Sequence, residues 1–247
     1  MVWFLLLLMV TCAASSGPTN LDCRYLVFPE KTATDHAKLQ SCIHTFSAMT
    51  VCLRVKANLC RGHSLFSVAT FSEGNAFLIF WDEEEDELEV YVQDQKAEFK
   101  GLKYDLNKWH SICVTWDSAT GLVQLWFDGH YAVPKYVDAG LISSPCIILG
   151  QEQDNYCGGF EKQQSFVGEI TDVHVWDYVI EICEIEHYLE NEYFFPGNAV
   201  NWRELLFSTT GKVSVHCKQN CPDDSKDKIP KLSHHEGHQG LSAHASH

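Results

Sequence analysis

The sequence is short of basic side chains and of catalytic motifs. Its 247 residues include 18 Lys and Arg against 33 Asp and Glu, which gives a formal net charge of −15 at pH 7. Such an excess of negative charge makes nucleic acid and anionic membrane surfaces poor direct partners. The G-x-S-x-G, P-loop and H-E-x-x-H signatures are absent. These absences favour a binding or structural protein over an enzyme.

Long apolar runs are also lacking, apart from one at the N-terminus. Residues 1–10 are apolar and uncharged, and small residues follow through Gly17. About 18 consecutive apolar residues are needed to span a bilayer, so this run is too short to be an anchor. It predicts a secretory signal peptide over residues 1–16, removed on export, and we expect no membrane span in the mature chain.

Cysteine is plentiful, with eleven in the chain. Removal of the signal peptide takes Cys12 and leaves an even number, which in an exported chain indicates disulfides. Zinc binding is the alternative, but the paired C-x-x-C spacing of structural zinc sites is missing. The ten remaining cysteines are Cys23, Cys42, Cys52, Cys60, Cys113, Cys146, Cys157, Cys183, Cys217 and Cys221.

Short runs of β-branched and aromatic residues recur about every ten positions, with turn signals between them. In the clearest run, 110–116, Ile112, Val114 and Trp116 alternate with smaller or polar residues, and two turns follow at 117–121 and 128–129. The pattern predicts an all-β sandwich.

Two segments depart from this strand pattern. Residues 181–189 place Ile182, Ile185 and Leu189 at helical spacing on one face, which predicts a single short helix. After Val213 the composition changes to Lys, Asp, Pro, Ser and His. We therefore predict a domain over residues 17–213 and a Cys- and His-rich tail over residues 214–247 that is disordered.

Three segments resemble the pentraxin family in the same order along the chain: 111–116, 148–154 and 166–177. The resemblance extends from about residue 25 to residue 206. It implies a flattened antiparallel jelly-roll β-sandwich of the concanavalin or lectin type with one α-helix, assembled as a cyclic, usually pentameric homo-oligomer. It further implies a Cys52–Cys113 disulfide, and secreted recognition of phosphocholine, phosphoethanolamine or sugars on surfaces and glycoproteins, as in innate immunity.

Residues 150–169 are rich in acids and glutamines. The resemblance places here most of a site for two calcium ions per protomer, and calcium takes six to eight oxygen ligands. Composition alone is equally typical of a solvated acidic loop. The ligands that the resemblance implies are the side chains of Asn75, Glu152, Asp154, Glu161 and Gln164 and the backbone carbonyl of Gln153.

One carboxylate of this calcium set is missing. The family has an Asp-Asn pair where this chain has Gly74 and Asn75, so that an acid is lost unless Glu73 replaces it. The remaining three carboxylates face two divalent ions, which leaves the filled site about one unit positive. Such a site favours an anionic or oxygen-rich ligand.

Phe80 matches the aromatic residue that lines the family's apolar ligand pocket beside the calcium ions. A strand places alternate residues on opposite faces, so a position in the core is an equally good interpretation.

An acid–base pair is the enzymatic alternative for the acids near residue 170. Retaining glycosidases need two carboxyl groups about 5 to 5.5 Å apart. Glu169 and Asp172 are three residues apart, so on a regular strand they point to opposite faces. We therefore predict no catalytic residues.

The sequence thus predicts a secreted, calcium-dependent, lectin-like recognition protein that acts multivalently as a ring. The alternative is a disulfide-crosslinked component of the extracellular matrix, in which calcium only stabilises the fold.

Overall fold

A computed structural model describes residues 17–219 and 221. The predicted signal peptide and most of the predicted tail lie outside the described residues. Nowhere in this described part does a helix reach the length and apolarity needed to cross a membrane.

The described residues form two large antiparallel sheets that pack as a sandwich, which confirms the predicted fold class. The nine-stranded sheet contains β1 (Arg24–Phe28), β4 (Ala48–Ala57), β9 (His110–Asp117), β10 (Leu122–Phe127), β11 (His130–Tyr131), β12 (Lys135–Tyr136), β15 (Gly168–Trp176), β16 (Val200–Asn201) and β18 (Ser214–Cys217). The seven-stranded sheet has the order β17 (Phe207–Thr210), β2 (His36–Leu39), β14 (Cys146–Leu149), β5 (His63–Ala69), β6 (Phe77–Asp82), β7 (Glu87–Val92) and β8 (Gln95–Lys100). A small additional sheet pairs β3 (Thr45–Phe46) with β13 (Ile142–Ser143).

The core lies between the two large sheets and follows the alternation of each strand. In β9, Ile112, Val114 and Trp116 belong to the inter-sheet core, as predicted, whereas Cys113 belongs to a second cluster on the other side of the sheet. In β6, Phe77 and Ile79 face the core. The inter-sheet core is therefore distinct from the second cluster, which lies on the outer face of the nine-stranded sheet.

Helix α1 (Ile182–Leu189) covers the outer face of the nine-stranded sheet. Its buried residues are Ile185 and Tyr188, which pack with the Cys52–Cys113 disulfide. The span of the helix was predicted, but its buried face was partly wrong, because Ile182 is 56 % exposed. A 3-10 turn, Trp202–Glu204, follows β16.

A β-bulge in β15 anchors this helix to the sheet. The pairing of β15 with β4 shifts register between Thr171 and His174, and Asp172 adopts φ 54°. The Asp172 carboxylate accepts a hydrogen bond from Arg54 at 2.9 Å, and Arg54 also donates to the carbonyl of Tyr188 at 2.6 Å. One guanidinium therefore joins the bulge to the last turn of the helix.

The bulge also corrects the predicted geometry of Glu169 and Asp172. Glu169 pairs with Lys56 at 3.2 Å and Asp172 pairs with Arg54 at 2.9 Å. Arg54 and Lys56 are two apart on β4 and so share its outer face, which means that both acids lie on one face. The extra residue of the bulge makes the opposite-face prediction wrong, but each acid is held by its own cation rather than beside the other.

The domain boundary predicted at residue 213 is too early. Residues Ser214–Cys217 form β18, which pairs with β1 along its free edge over Arg24–Val27. The free edge of β1 offers backbone donors and acceptors that can pair with a segment of any composition. The polar composition of residues after Val213 therefore did not indicate this strand. The rest of the predicted tail lies outside the described residues, apart from Lys218, Gln219 and Cys221.

The cysteines are only partly paired. Cys52 joins Cys113 and Cys146 joins Cys157, and Cys23 and Cys221 are also disulfide-bonded. The exposed cysteines without a disulfide among the described residues are Cys42, Cys60, Cys183 and Cys217.

Candidate functional site

The loop from Gly150 to Ser165 joins β14 to β15 and carries most of the predicted ligands. Its two ends are tied together, because the Phe166 amide donates to the carbonyl of Gly150 at 3.0 Å. Near its end, the carbonyl of Gln164 accepts from the Ser64 amide of β5 at 2.9 Å. The loop therefore returns to the seven-stranded sheet.

The tip of the loop is fixed by a turn and a disulfide. Asn155 and Gly158 exchange two backbone hydrogen bonds, at 3.2 and 2.9 Å. Cys157 is joined to Cys146 of β14. Gly159 has φ 75°, and a Cβ there would lie 2.9 Å from the Asn155 amide, so a side chain would be strained at this position.

The Gln153 side chain is fully used as a structural clamp. Its amide donates to the carbonyls of Ser67 and Cys146 at 3.1 and 3.0 Å, and its oxygen accepts from the Cys157 amide at 3.0 Å. Only the backbone carbonyl of Gln153 is left to contribute to a ligand set, which is the atom that the resemblance implied.

Three buried oxygens of the predicted set have no hydrogen-bond partner. They are Asn75 Oδ1, Glu152 Oε2 and Gln164 Oε1. Each comes from a different segment: the β5–β6 connection, the start of the loop and its end. Buried acceptors are normally paired because leaving them unpaired costs free energy. Bound cations would give such oxygens the partners they lack.

The electrostatics at Glu152 agree with this interpretation. Glu152 is 2 % exposed. Burial, together with the nearby carboxylates of Asp154, Glu161 and Asp94, raises its pKa to about 7. A divalent cation placed among these oxygens would offset the cost of ionising the buried carboxyl and so favour the carboxylate form.

The donor set is a mixed one. Among the described residues, no group of three or more His, Cys, Asp and Glu side chains is arranged to hold a metal. The set instead combines carboxylates with the amide oxygens of Asn75 and Gln164 and a backbone carbonyl. Asp154 and Glu161 are exposed at its rim. Oxygen donors without sulfur or nitrogen suit a hard cation, so these residues fit calcium.

Phe80 lies on the outer face of β6, half-buried and outside the inter-sheet core. Its cross-strand neighbours are Ser64 of β5 and Glu89 of β7. Of the two interpretations that the sequence left open, this position favours the outward-facing one. Its contact with a ligand stays a prediction.

A second aromatic feature was missed by the sequence analysis. Phe71 and Tyr156 stack with their ring centroids 3.9 Å apart, and Phe71 is 78 % exposed. Phe71 lies four residues before Asn75, and Tyr156 lies two residues after Asp154. No pattern in the sequence joins these two positions, because their contact depends on how the loop packs beside the sheet.

Phe80 and the helix lie on opposite faces of the sandwich. Phe80 lies on the outer face of the seven-stranded sheet, whereas α1 packs on the outer face of the nine-stranded sheet. Among the described residues, the helix covers the outer face of the nine-stranded sheet and not the face that carries Phe80.

Comparison with known proteins agrees with the fold. The model of the Pentaxin family matches residues 24–217. The C-reactive protein of Xenopus laevis is 36 % identical over 242 residues, covering 96 % of this chain and 95 % of that protein. The serum amyloid P-component of Mus musculus is 36 % identical over 200 residues, covering 80 % and 88 %. Among solved structures, a native heptameric SAP-like pentraxin from Limulus polyphemus has a TM-score of 0.74 at 24 % identity, covering 82 % of this chain and 99 % of that one.

Proposed function

Because the chain belongs to the pentraxin family, we propose that it is a secreted, lectin-like recognition protein with a site for two calcium ions. Pentraxins are calcium-dependent binding proteins and not enzymes. The proposed ligands are phosphocholine, phosphoethanolamine or sugars carried on surfaces and glycoproteins.

The observation that carries this proposal is the set of buried, unpartnered oxygens on Asn75, Glu152 and Gln164. Together with Asp154, Glu161 and the carbonyl of Gln153, they would hold the calcium. When bound, calcium offers open coordination positions to oxygen atoms of a ligand. The protein's own contribution is to hold the donors in place through the tied loop ends and the clamped side chain of Gln153.

The surroundings of the site suit a ligand with an apolar part. Phe80 presents a half-buried ring on the same outer face. The stacked pair of Phe71 and Tyr156 lies close in sequence to Asn75 and Asp154. Aromatic rings provide contact area and attract cationic groups such as a quaternary ammonium.

Assembly of several chains into one oligomer would place several weak ligand sites on the same particle. The Limulus polyphemus relative is described as heptameric, and pentraxins are usually pentameric, so we propose a cyclic ring for this chain. Sites repeated on one face of a ring engage a surface together, which raises the overall avidity by about 10² to 10⁴ without new contacts.

Two measurements test the proposal. Calorimetry of the secreted protein should show about two calcium ions bound per chain, and calcium-loaded protein should be retained on phosphocholine or galactose resin and released by EDTA. Phe80→Ala should keep calcium binding but reduce retention, whereas Tyr136→Ala, at an exposed position outside the site, should change neither. Absence of calcium binding at millimolar concentration would contradict the proposal.

A structural role is the second candidate, because Cys42, Cys60, Cys183 and Cys217 are exposed and have no disulfide partner among the described residues. In an oxidising compartment such thiols can link chains. Retention on the resins in EDTA with release by a thiol, and high-mass bands on non-reducing gels, would favour the crosslinked component over the recognition protein.

A further inference from the structure

The backbone around Gly74 leaves no room for a side chain. A Cβ on Gly74 would lie 2.8 Å from the carbonyl oxygen of Gln153 and 3.0 Å from that of Asp154. The first of these contacts is shorter than real Cβ atoms show, so the ligand loop packs directly against the glycine. A carboxylate needed on this side of the site must therefore come from another segment of the chain.

The turn between β7 and β8 brings a carboxylate to this place. Asp94 donates its backbone amide to the carbonyl of Asn75 at 3.2 Å, and Gln93 donates to the carbonyl of Ala76 at 3.2 Å. These bonds continue the pairing of β6 and β7 beyond the ends of both strands. Asp94 has φ 62°, a left-handed conformation that Asp and Asn tolerate better than other side chains. The turn thus holds Asp94 against the residue that carries one of the unpartnered oxygens.

Asp94 also faces the other acids of the site. Its charge is one of those that raise the pKa of Glu152, and Glu152 is buried with an unpartnered oxygen. The Asp94 carboxyl hydrogen-bonds with the side chain of Glu73, and this contact raises the pKa of Glu73. Asp94 is therefore close to both Glu73 and Glu152.

We propose that Asp94 supplies the carboxylate that Gly74 cannot carry and acts as a further calcium ligand. This inference rests on the proposed function, since it names a residue of the same site. With Asp94 the set contains four carboxylates, whose charge matches that of two calcium ions. In the metal-free protein the Asp94 carboxylate is close to Glu73 and also to Glu152.

Asp94→Asn tests the assignment, with Asp86→Asn as its matched control. Asp86 lies at the other end of β7, also in a turn and also at positive φ, 52°, so both substitutions are equally compatible with the backbone. We expect Asp94→Asn to weaken calcium binding about tenfold or more in calorimetry, because affinity depends on the number of charged ligands. In EDTA the same variant should melt about 2 °C or more above the wild type, because one repelling charge is removed.

The outcomes separate this inference from the proposed function. If the wild type binds calcium and Asp94→Asn binds it with unchanged affinity and stoichiometry, the assignment of Asp94 is overturned while the calcium site stands. If Asp86→Asn weakens binding as much as Asp94→Asn, the effect is one of general charge and the assignment again fails. If the wild type binds no calcium, the proposed function fails and the Asp94 assignment fails with it.

Discussion

The substitution Glu152→Gln should stabilise the calcium-free protein at neutral pH. Glu152 is 2 % exposed, and burial, together with the neighbouring acids, raises its pKa from the ordinary 4.5 to about 7. At about 1.36 kcal/mol per pKa unit, this difference corresponds to about 3 kcal/mol of stability. Gln has a similar shape and carries no charge, so it removes this cost.

The size of the effect depends on pH. Below about pH 4.5 the Glu152 carboxyl is protonated in both the folded and the unfolded chain, and the pKa difference contributes no penalty. Between about pH 4.5 and 7 the folded protein retains the proton while the unfolded chain loses it, so stability falls as the pH rises. Above about pH 7 the full cost is present. The variant should therefore match the wild type at pH 4 and exceed it by up to about 3 kcal/mol at pH 8.

Urea denaturation in EDTA at pH 4 and pH 8 measures this difference. Glu84→Gln, at an exposed position in the turn between β6 and β7, serves as the control for loss of one negative charge and should shift neither curve. In millimolar calcium the order should reverse, because Glu152 is then needed as a ligand. A variant that is less stable than the wild type in EDTA at pH 8, or equally affected at both pH values, would refute the reasoning.

Three further outcomes are expected. Arg54→Met should lower the free energy of unfolding in urea by about 3 kcal/mol, because it removes the guanidinium that bonds both the Asp172 carboxylate and the Tyr188 carbonyl. Its calcium titration should be unchanged, and a parallel loss of calcium binding would show that the two faces are coupled. Replacing both Cys146 and Cys157 by Ser should lower the free energy of unfolding by about 2–3 kcal/mol, because the disulfide closes a short loop with a sequence separation of 11. The same variant should bind calcium more weakly, because the disulfide fixes the tip of the ligand loop. Unchanged calcium binding in calorimetry would show that the loop is held without the disulfide. Gly74→Ala should weaken calcium binding by displacing a backbone carbonyl of the loop, whereas Gly158→Ala, where a Cβ meets nothing within 4 Å, should not.

The strands were predictable because apolar residues alternate along them in the same way as the side chains alternate between the core and the outer face. Ile112, Val114 and Trp116 alternate in the sequence as they do in the core. The helix was predictable in span but not in face, because Tyr188 is amphipathic and its burial depends on the surface that the sheet offers. The bulge at Asp172 has no local signature, since an extra residue in a strand becomes visible only against its partner strand.

The candidate site also combines residues that the local sequence indicates with residues that only the fold brings together. The acids and amides of residues 150–169 are close in sequence, so one stretch could indicate them together. Asp94 belongs to a different hairpin and comes beside Asn75 only through strand pairing. The position of its carboxylate could therefore not be predicted from the loop sequence alone. The contact of Phe71 with Tyr156 could not be predicted for the same reason.

The bulge in β15 separates two properties of the chain that could evolve independently. Thr171 pairs with Arg54 and His174 pairs with Cys52, so the strand has one residue more than its partner between these two points. Deleting Asp172 would restore a regular ladder and leave every residue on either side pointing to its present face. The sheet would thus tolerate the loss, while the helix would lose its carboxylate anchor. Loss of this single residue would therefore weaken the attachment of the helix without changing the faces of the neighbouring strand residues.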